Sequence, residues 1–367
     1  EGDGLLSRVA GVDAVIGCRN WPEITRLVRG LSLEAKQRGG GAVPVYLSDQ
    51  LDLGEAARKP RTASAYVKIS DGCDAACAFC AIPAIKGGYR SKPRDQVLLE
   101  VRQLVAGGVK EVILVGQDTT AYGMDLGYQD GLEGLLRGIA ESAPELPWLR
   151  MLYLYPQKIS PGLLRAMAEL PMVCRYVDIP LQHTHPDLLK RMMRPAGDVG
   201  ELVGRLRDAL PEVAIRTTFI VGFPGETEAE HRHLLRTMEK LKFDRVGVFA
   251  YSPQSGTAAA AMPGQLSEHT KRRRWRQAME TAQGVSLKRN RRLVGRELEV
   301  LVEGAEADAE GREPMMAGRS YRDAPEVDGM VLFTGKAPIG EMVKVKVTSA
   351  LEYDLVGELC GESRKAG

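Results

Sequence analysis

The chain has 367 residues, 44% of them hydrophobic, with 50 Lys and Arg nearly balanced by 48 Asp and Glu. This length allows two or three domains with real cores. No apolar run approaches the roughly 20 residues of a membrane-crossing helix, and six cysteines are too few for a disulfide framework, which excludes a helical membrane protein and a small disulfide-stapled module.

Short apolar runs rich in Val, Ile, Leu and Tyr predict strands at Tyr66 to Ile69, Glu111 to Val115, Leu149 to Leu154, Tyr176 to Ile179, Ala214 to Val221 and Arg245 to Ala250. Helical stretches fall near 94–107, 131–142, 161–169, 198–210 and 227–241. Six such units in succession, over residues 62–285, predict an α/β domain whose parallel sheet curls toward a barrel. Working residues then belong at the carboxyl ends of the strands. The Cys73 to Cys80 loop follows the first strand, Gly116 to Gly123 the second, Pro180 to His183 the fourth and Gly222 to Thr227 the fifth. In the last, glycines permit close backbone approach to a ligand and Thr227 suits a helix cap, although Gly-Phe-Pro-Gly-Glu alone also reads as a plain helix entry.

The run Asp71-Gly-Cys-Asp-Ala-Ala-Cys-Ala-Phe-Cys80 is the most informative. Gaps of three and two residues let one loop point three thiolates at one centre, and three soft ligands without a fourth suit an iron–sulfur cluster with an open iron. A structural zinc site asks for four ligands, and no second pair follows at finger or ribbon spacing. Cys18, Cys174 and Cys360 are scattered singly, as small hydrophobes are.

Cys-x3-Cys-x2-Cys with Phe79 before the last cysteine resembles the signature of radical S-adenosylmethionine (SAM) enzymes, and the following Ala81 to Pro93 resembles the methylthiotransferases. The resemblance implies a partial (β/α)6 TIM-like barrel. It also implies a 4Fe-4S cluster on Cys73, Cys77 and Cys80, with SAM chelating the fourth iron and cleaved by one electron, from a donor such as flavodoxin or ferredoxin, to a 5′-deoxyadenosyl radical. Phe79, Gln117, Asp118 and Gln182 become candidates to line the SAM pocket, with backbone near Val221 and Gly222 against the adenine. Arg194 is either the partner of the cofactor carboxylate or a surface arginine closing a helix. His231 and His233, two apart on a helix, point away from each other, and His183 and His185 flank the fourth strand's loop, near substrate or in local hydrogen bonds.

Past residue 286 the pattern changes to strands at Glu297 to Val302, Met330 to Thr334 and Met342 to Val347, which predicts a small all-β barrel over 286–363. It resembles the OB-like TRAM domain that closes methylthiotransferases. Lys271 to Arg292 holds nine basic residues against one acid, Glu280, either a solvated helix face or a contact with RNA or the ribosome. From Gly295 to Glu362, fifteen Asp and Glu face seven Lys and Arg, a balance that repels RNA phosphates and attracts a basic protein.

Gly318 to Gly329 resembles the branch of the family that methylthiolates an aspartate β-carbon of the twelfth small-subunit ribosomal protein, itself basic. The branches that modify tRNA adenosine are the alternative, and a non-catalytic metal-containing module that binds RNA or the ribosome is the reading from another class. Family members carry three more cysteines in an N-terminal domain, for an auxiliary 4Fe-4S cluster that handles sulfur. Val12 to Gly17 matches the family only beyond that point, so residues 1–61 read as the tail of this domain, without those ligands. The expectation is a chain that binds one cluster and cleaves SAM without completing sulfur insertion, in the cytoplasm, where exposed thiols stay reduced.

Overall fold

The computed structural model describes residues 14–17, 24–34, 45–46, 62–194, 197–306 and 314–361. Before residue 62 it describes a parallel pairing of Val15–Ile16 with Val45–Tyr46 and the helix Ile24–Glu34. The expected N-terminal remnant therefore lies largely outside the described residues, as does Cys18.

Six strands, β1 (Ser64–Lys68), β2 (Glu111–Val115), β3 (Trp148–Met151), β4 (Tyr176–Asp178), β5 (Ala214–Val221) and β6 (Arg245–Ala250), follow the predicted runs closely. The helices α1 (Arg94–Ala106), α2 (Gly131–Ser142), α3 (Pro161–Glu169), α4 (Val199–Ala209), α5 (Glu228–Leu241) and α6 (Glu268–Asn290) alternate with or follow them. β1, β2 and β3 pair in parallel, as do β4, β5 and β6. A bridge between Leu149 and Val173 joins the two triplets. Among the described residues no pairing returns β6 to β1, so the barrel is open along one side.

Period-two alternation decides which face each strand residue serves. Val112, Leu114, Leu149, Met151, Val177 and Ile215 pack outward into one core with Leu104, Leu135, Ile139, Leu163 and Leu206 of the helices. Each fully buried side chain of this kind stabilises the fold by about 1.5–3 kcal/mol. Ile113, Trp148, Tyr176 and Ala214 face inward, and there they meet Leu301 and Ala324 of the second domain. α6 packs on α5 and β6 and runs to Asn290, across the boundary expected at 285.

The second domain is a closed five-stranded barrel of β7 (Glu297–Glu306), β8 (Met315–Ser320), β9 (Val331–Thr334), β10 (Met342–Ala350) and β11 (Leu355–Leu359). Its core is Val300, Val302, Val331, Phe333, Val345, Val347 and Leu355. β8 and β11 are additions to the three strands expected, and each carries a glycine at a close backbone approach. A Cβ at Gly318 would lie 2.4 Å from the Leu301 carbonyl oxygen, and one at Gly357 would lie 2.5 Å from Val345 Cγ1.

The connection from β8 to β9 does not stay on its own barrel. Tyr321 to Asp328 enters the amino-terminal end of the first barrel and meets its inward-facing side chains. Arg150 donates to the Tyr321 carbonyl (2.8 Å), Tyr176 Oη donates to Asp328 (2.6 Å), and Tyr66 Oη reaches the Pro325 carbonyl (3.4 Å). Buried ion pairs fix this plug. Glu111 sits between Arg150 (2.7 Å) and Arg319 (2.5 Å), Asp323 holds Arg245 (2.5 Å), Asp244 holds Arg289 (2.7 Å) and Arg322, and Arg216 bridges Asp178 (2.8 Å) and Asp328 (3.3 Å). Burial alone would raise the Glu111 carboxyl, but the two arginines outweigh it and hold it at about 2. Asp328 goes the other way, lifted by burial despite Arg216.

Candidate functional site

The cysteine loop leaves β1 through a two-residue antiparallel pairing of Ser70–Asp71 with Arg90–Ser91. Gly72, at φ +74°, makes the turn, and a Cβ there would lie 2.2 Å from the Gly88 carbonyl oxygen, so only glycine fits. Cys73 N donates to the Gly87 carbonyl (3.2 Å), Ala78 N to the Met192 carbonyl (2.9 Å), and Ala259 N to the Ala78 carbonyl (2.8 Å). The loop is thus tied at its start to Gly87 and in its middle to Met192 and Ala259, far along the chain.

Cys73, Cys77 and Cys80 line one cavity of about 550 Å³ at the carboxyl ends of the strands. Ala75 N–H points at Cys73 Sγ and Ile82 N–H at Cys80 Sγ, each at 3.4 Å, while Arg194 Nη1 lies 3.5 Å from Cys77 Sγ. Donors aimed at sulfur favour thiolate and tune a cluster's potential. Burial pushes the Cys73 thiol up, so bonding to a metal is what would keep it ionised there. None of the other cavity walls carries a His, Asp or Glu, and among the described residues no three such side chains or thiols gather about a single ion. Three thiols with no His, Asp or Glu beside them are a donor set that suits three irons of a 4Fe-4S cube with the fourth left open.

Phe79, Gln117, Gln182 and Arg194 line the same cavity. Arg194 is only 8% exposed, donates to the Pro180 carbonyl (2.8 Å) and lies over the Tyr155 ring at 4.3 Å, so it is not a surface arginine. Gln182 takes φ +69° and bridges β5 through Thr218 and Ile220, a strained backbone held by its neighbours. Asp118, Val221 and Gly222 are not among the walls. Asp118 is buried against Lys158 (2.6 Å), Val221 packs in the outer core, and Gly222 sits with its α-carbon against Lys271.

Gly222 instead belongs to a bracing system. Its N–H donates to the buried carboxylate of Glu226, which also takes Arg274 (2.9 Å) and lies 3.6 Å from both His183 and His231. Burial would raise that carboxyl, but these partners hold it at about 2. His183 is fully buried, is not a cavity wall and accepts from His185 N (3.0 Å), so of its two readings the local hydrogen bond is the one seen, and burial keeps its own pKa low. The paired histidines of α5 do diverge. His231 Nε2 meets Gln277 at 3.1 Å, and His233 meets Thr184 at 3.1 Å and the His185 ring. Thr227 caps α5 in a reciprocal box with Glu230.

Tyr153, Tyr155, Arg216, Thr218, Phe249 and Val327 are walls that the sequence reading missed. β3 stops at Met151, three residues before its expected end, which frees Tyr153 and Tyr155 to line the cavity from a loop. Period-two alternation along β5 and β6 was the available signal for Arg216, Thr218 and Phe249. Val327 arrives from the plug, so the second domain supplies part of the floor.

Two family models match: "Radical SAM superfamily" over residues 67–238 and "TRAM domain" over 294–360. The ribosomal protein uS12 methylthiotransferase RimO of Herpetosiphon aurantiacus is 45% identical, over 98% of this chain and 82% of its own length. That of Roseiflexus sp. (strain RS-1) is 46% identical, over 97% of this chain and 79% of its own. With the three-thiol cavity, the plugged open barrel and the small closing barrel in place, these matches show that the chain belongs to the RimO family of radical SAM methylthiotransferases.

Proposed function

We propose that this chain supplies the SAM-cleaving and substrate-facing part of an enzyme that methylthiolates an aspartate β-carbon of ribosomal protein uS12. The observation that carries the reading is one cavity lined by three thiols, by amide and guanidinium groups, and by Val327 from the acidic closing barrel. When bound, a reduced 4Fe-4S cluster and SAM supply a carbon-centred radical able to remove hydrogen from an unactivated carbon.

The chain's own residues would do the rest. Cys73, Cys77 and Cys80 hold the cluster. Arg194, locked by the Pro180 carbonyl and Tyr155, presents its guanidinium for the SAM carboxylate, and Gln117 and Gln182 hydrogen-bond its polar groups. Phe79, Phe249 and Val327 supply the cavity's apolar surface. Asp118 and Glu226 brace the loops behind these side chains. Arg319 of β8 and Arg322, Asp323 and Asp328 of the plug have their side chains withdrawn from solvent in equal numbers of each sign, so the acidic excess of the second domain survives to meet a basic protein substrate.

Sulfur insertion needs a second cluster. Cys174 is buried beside the plug and Cys360 lies at the end of β11, so neither is placed to bind one, and Cys18 lies outside the described residues. On this reading the chain by itself cleaves SAM, and complete conversion belongs to a protein carrying the auxiliary ligands. A cytoplasmic location and a low-potential donor such as flavodoxin or ferredoxin complete the proposal. Among the described residues no helix is long and apolar enough to cross a membrane.

The test has two stages. Anaerobically reconstituted chain with SAM and dithionite should form 5′-deoxyadenosine. The protein carrying both clusters, given sulfide and SAM, should add one methylthio group to uS12 by mass. A gain on tRNA with none on uS12 would overturn the substrate, and a colourless zinc protein without 5′-deoxyadenosine would overturn the enzyme.

A further inference from the structure

A second concavity, of about 250 Å³, lies at the amino-terminal end of the first barrel where the two domains meet. Arg289 from α6, Arg292 and Arg296 from the connector and Arg322 from the plug line it, with Glu212 and Leu293. Four guanidinium groups share two carboxylates. Asp244, beneath the pocket, takes both Arg289 and Arg322, and exposed Glu212 takes Arg296. Among the described residues Arg292 has no acidic partner. Arg322 Nε is buried without a hydrogen-bond acceptor, although the Arg322 side chain is only 4% exposed. Nearby Arg207 is depressed by burial and then by Arg289, with Arg292 adding to the effect against Asp244. Excess positive charge is therefore built into this corner, and the exposed guanidinium of Arg292 fits an oxyanion.

The basic run of α6 divides here. In its first half Arg273 and Arg274 are tied to Glu228 and Glu226, and Lys271 to Glu268, so these three are already paired, and Lys271 and Arg274 are buried rather than on a solvated face. At its end Lys288, Arg291 and Arg292 are exposed beside the pocket. A pocket that opens onto further cations suits a polyanion better than an isolated ion.

We propose that this pocket binds a backbone phosphate of RNA, so that the enzyme grips RNA at the domain junction while its acidic barrel faces a protein. The choice of RNA over a free anion rests on the ribosomal reading of the substrate, because ribosomal proteins lie on RNA. The excess of arginine does not rest on it.

Binding is measured by fluorescence anisotropy on the reconstituted chain without SAM, using a short fluorescein-labelled RNA hairpin at several salt concentrations. Arg292→Glu and Arg296→Glu should each weaken binding about 10-fold near 0.1 M salt and make the plot of log K against log salt shallower by about 1. Both should form 5′-deoxyadenosine at the parent rate, which shows an intact fold and separates this test from that of the reaction. Unchanged affinity and slope in both variants would overturn the proposal. So would micromolar binding of inorganic tripolyphosphate that the variants lose while their RNA affinity stays the same, since that marks a small-anion site.

Discussion

The two ends of the first barrel solve opposite problems. At the carboxyl end the cavity walls are thiols, aromatic rings, amides and two arginines, and loops are held by backbone hydrogen bonds such as those on Cys73 and Ala78. At the amino end carboxylates and guanidinium groups from both domains are buried and spent on one another, with Glu111, Arg150 and Arg319 each no more than 2% exposed. A site for a reactive carbon centre keeps ionised carboxylates away. A joint between domains uses them, because a misplaced plug leaves buried charges unmatched.

The largest effect expected on this contrast is at the thiol end. Cys77→Ala should bind markedly less iron and sulfide on reconstitution and lose 5′-deoxyadenosine formation by at least about 100-fold, with no loss of the plugged fold. Product at the parent rate would show that this loop is not the cluster site. At the other end, Glu111→Gln leaves Arg150 and Arg319 buried with one neutral partner, and should destabilise the chain by about 3–5 kcal/mol in urea unfolding followed by tryptophan fluorescence. A loss below about 1 kcal/mol would mean that water reaches the joint and that the ends do not differ in this way.

Acid treatment sharpens the comparison, because each end has one deeply depressed carboxyl, Glu111 at the floor and Glu226 behind the mouth, both at about 2 against an ordinary 4.5. A carboxyl lowered on folding stabilises the folded state above its unfolded pKa, and that contribution, on the order of 3 kcal/mol for each, is lost as pH falls from about 4.5 through about 2. Unfolding free energy should therefore decline through this window. Glu111→Gln should decline less steeply, and an unaltered slope would place the acid sensitivity elsewhere.

The sequence made the outer architecture legible, and the physical reason is that strands covered by helices carry short apolar runs, as at Val112–Val115 and Phe219–Val221. Cysteine spacing likewise exposed the loop that brings three thiols to one cavity, since side chains close in sequence are placed by the local chain. The plug was not legible. Arg319, Arg322, Asp323 and Asp328 count in the sequence only toward the charge balance of the barrel, and the partners that bury them in the joint, Glu111, Asp244, Arg245 and Tyr176, lie more than 70 residues away. Tyr153 and Tyr155 were hidden differently, as the tail of an apolar run whose strand ends early, and Asp118 and Gly222 were placed on the cavity because they border its loops, although their partners lie behind it.

Within the mouth, Arg194→Lys keeps the charge but loses the fork that reaches both the Pro180 carbonyl and Cys77. SAM affinity by equilibrium dialysis should fall about 10-fold, close to 1.4 kcal/mol, and unchanged affinity would move the carboxylate contact to another residue.

The smallest effect concerns how the mouth is braced. Thr227→Ala removes one half of the capping box while Glu226 still holds Gly222 N–H, so the cost should be about 1 kcal/mol and confined to the first turn of α5. Hydrogen exchange should quicken at Glu230 and His231 and stay unchanged at Ile113 and Tyr176, and Thr227→Ser should restore protection. Faster exchange at the floor as well would mean that the two ends share one cooperative unit, and that the ionic joint, for all its burial, does not hold the amino end independently of the loops above it.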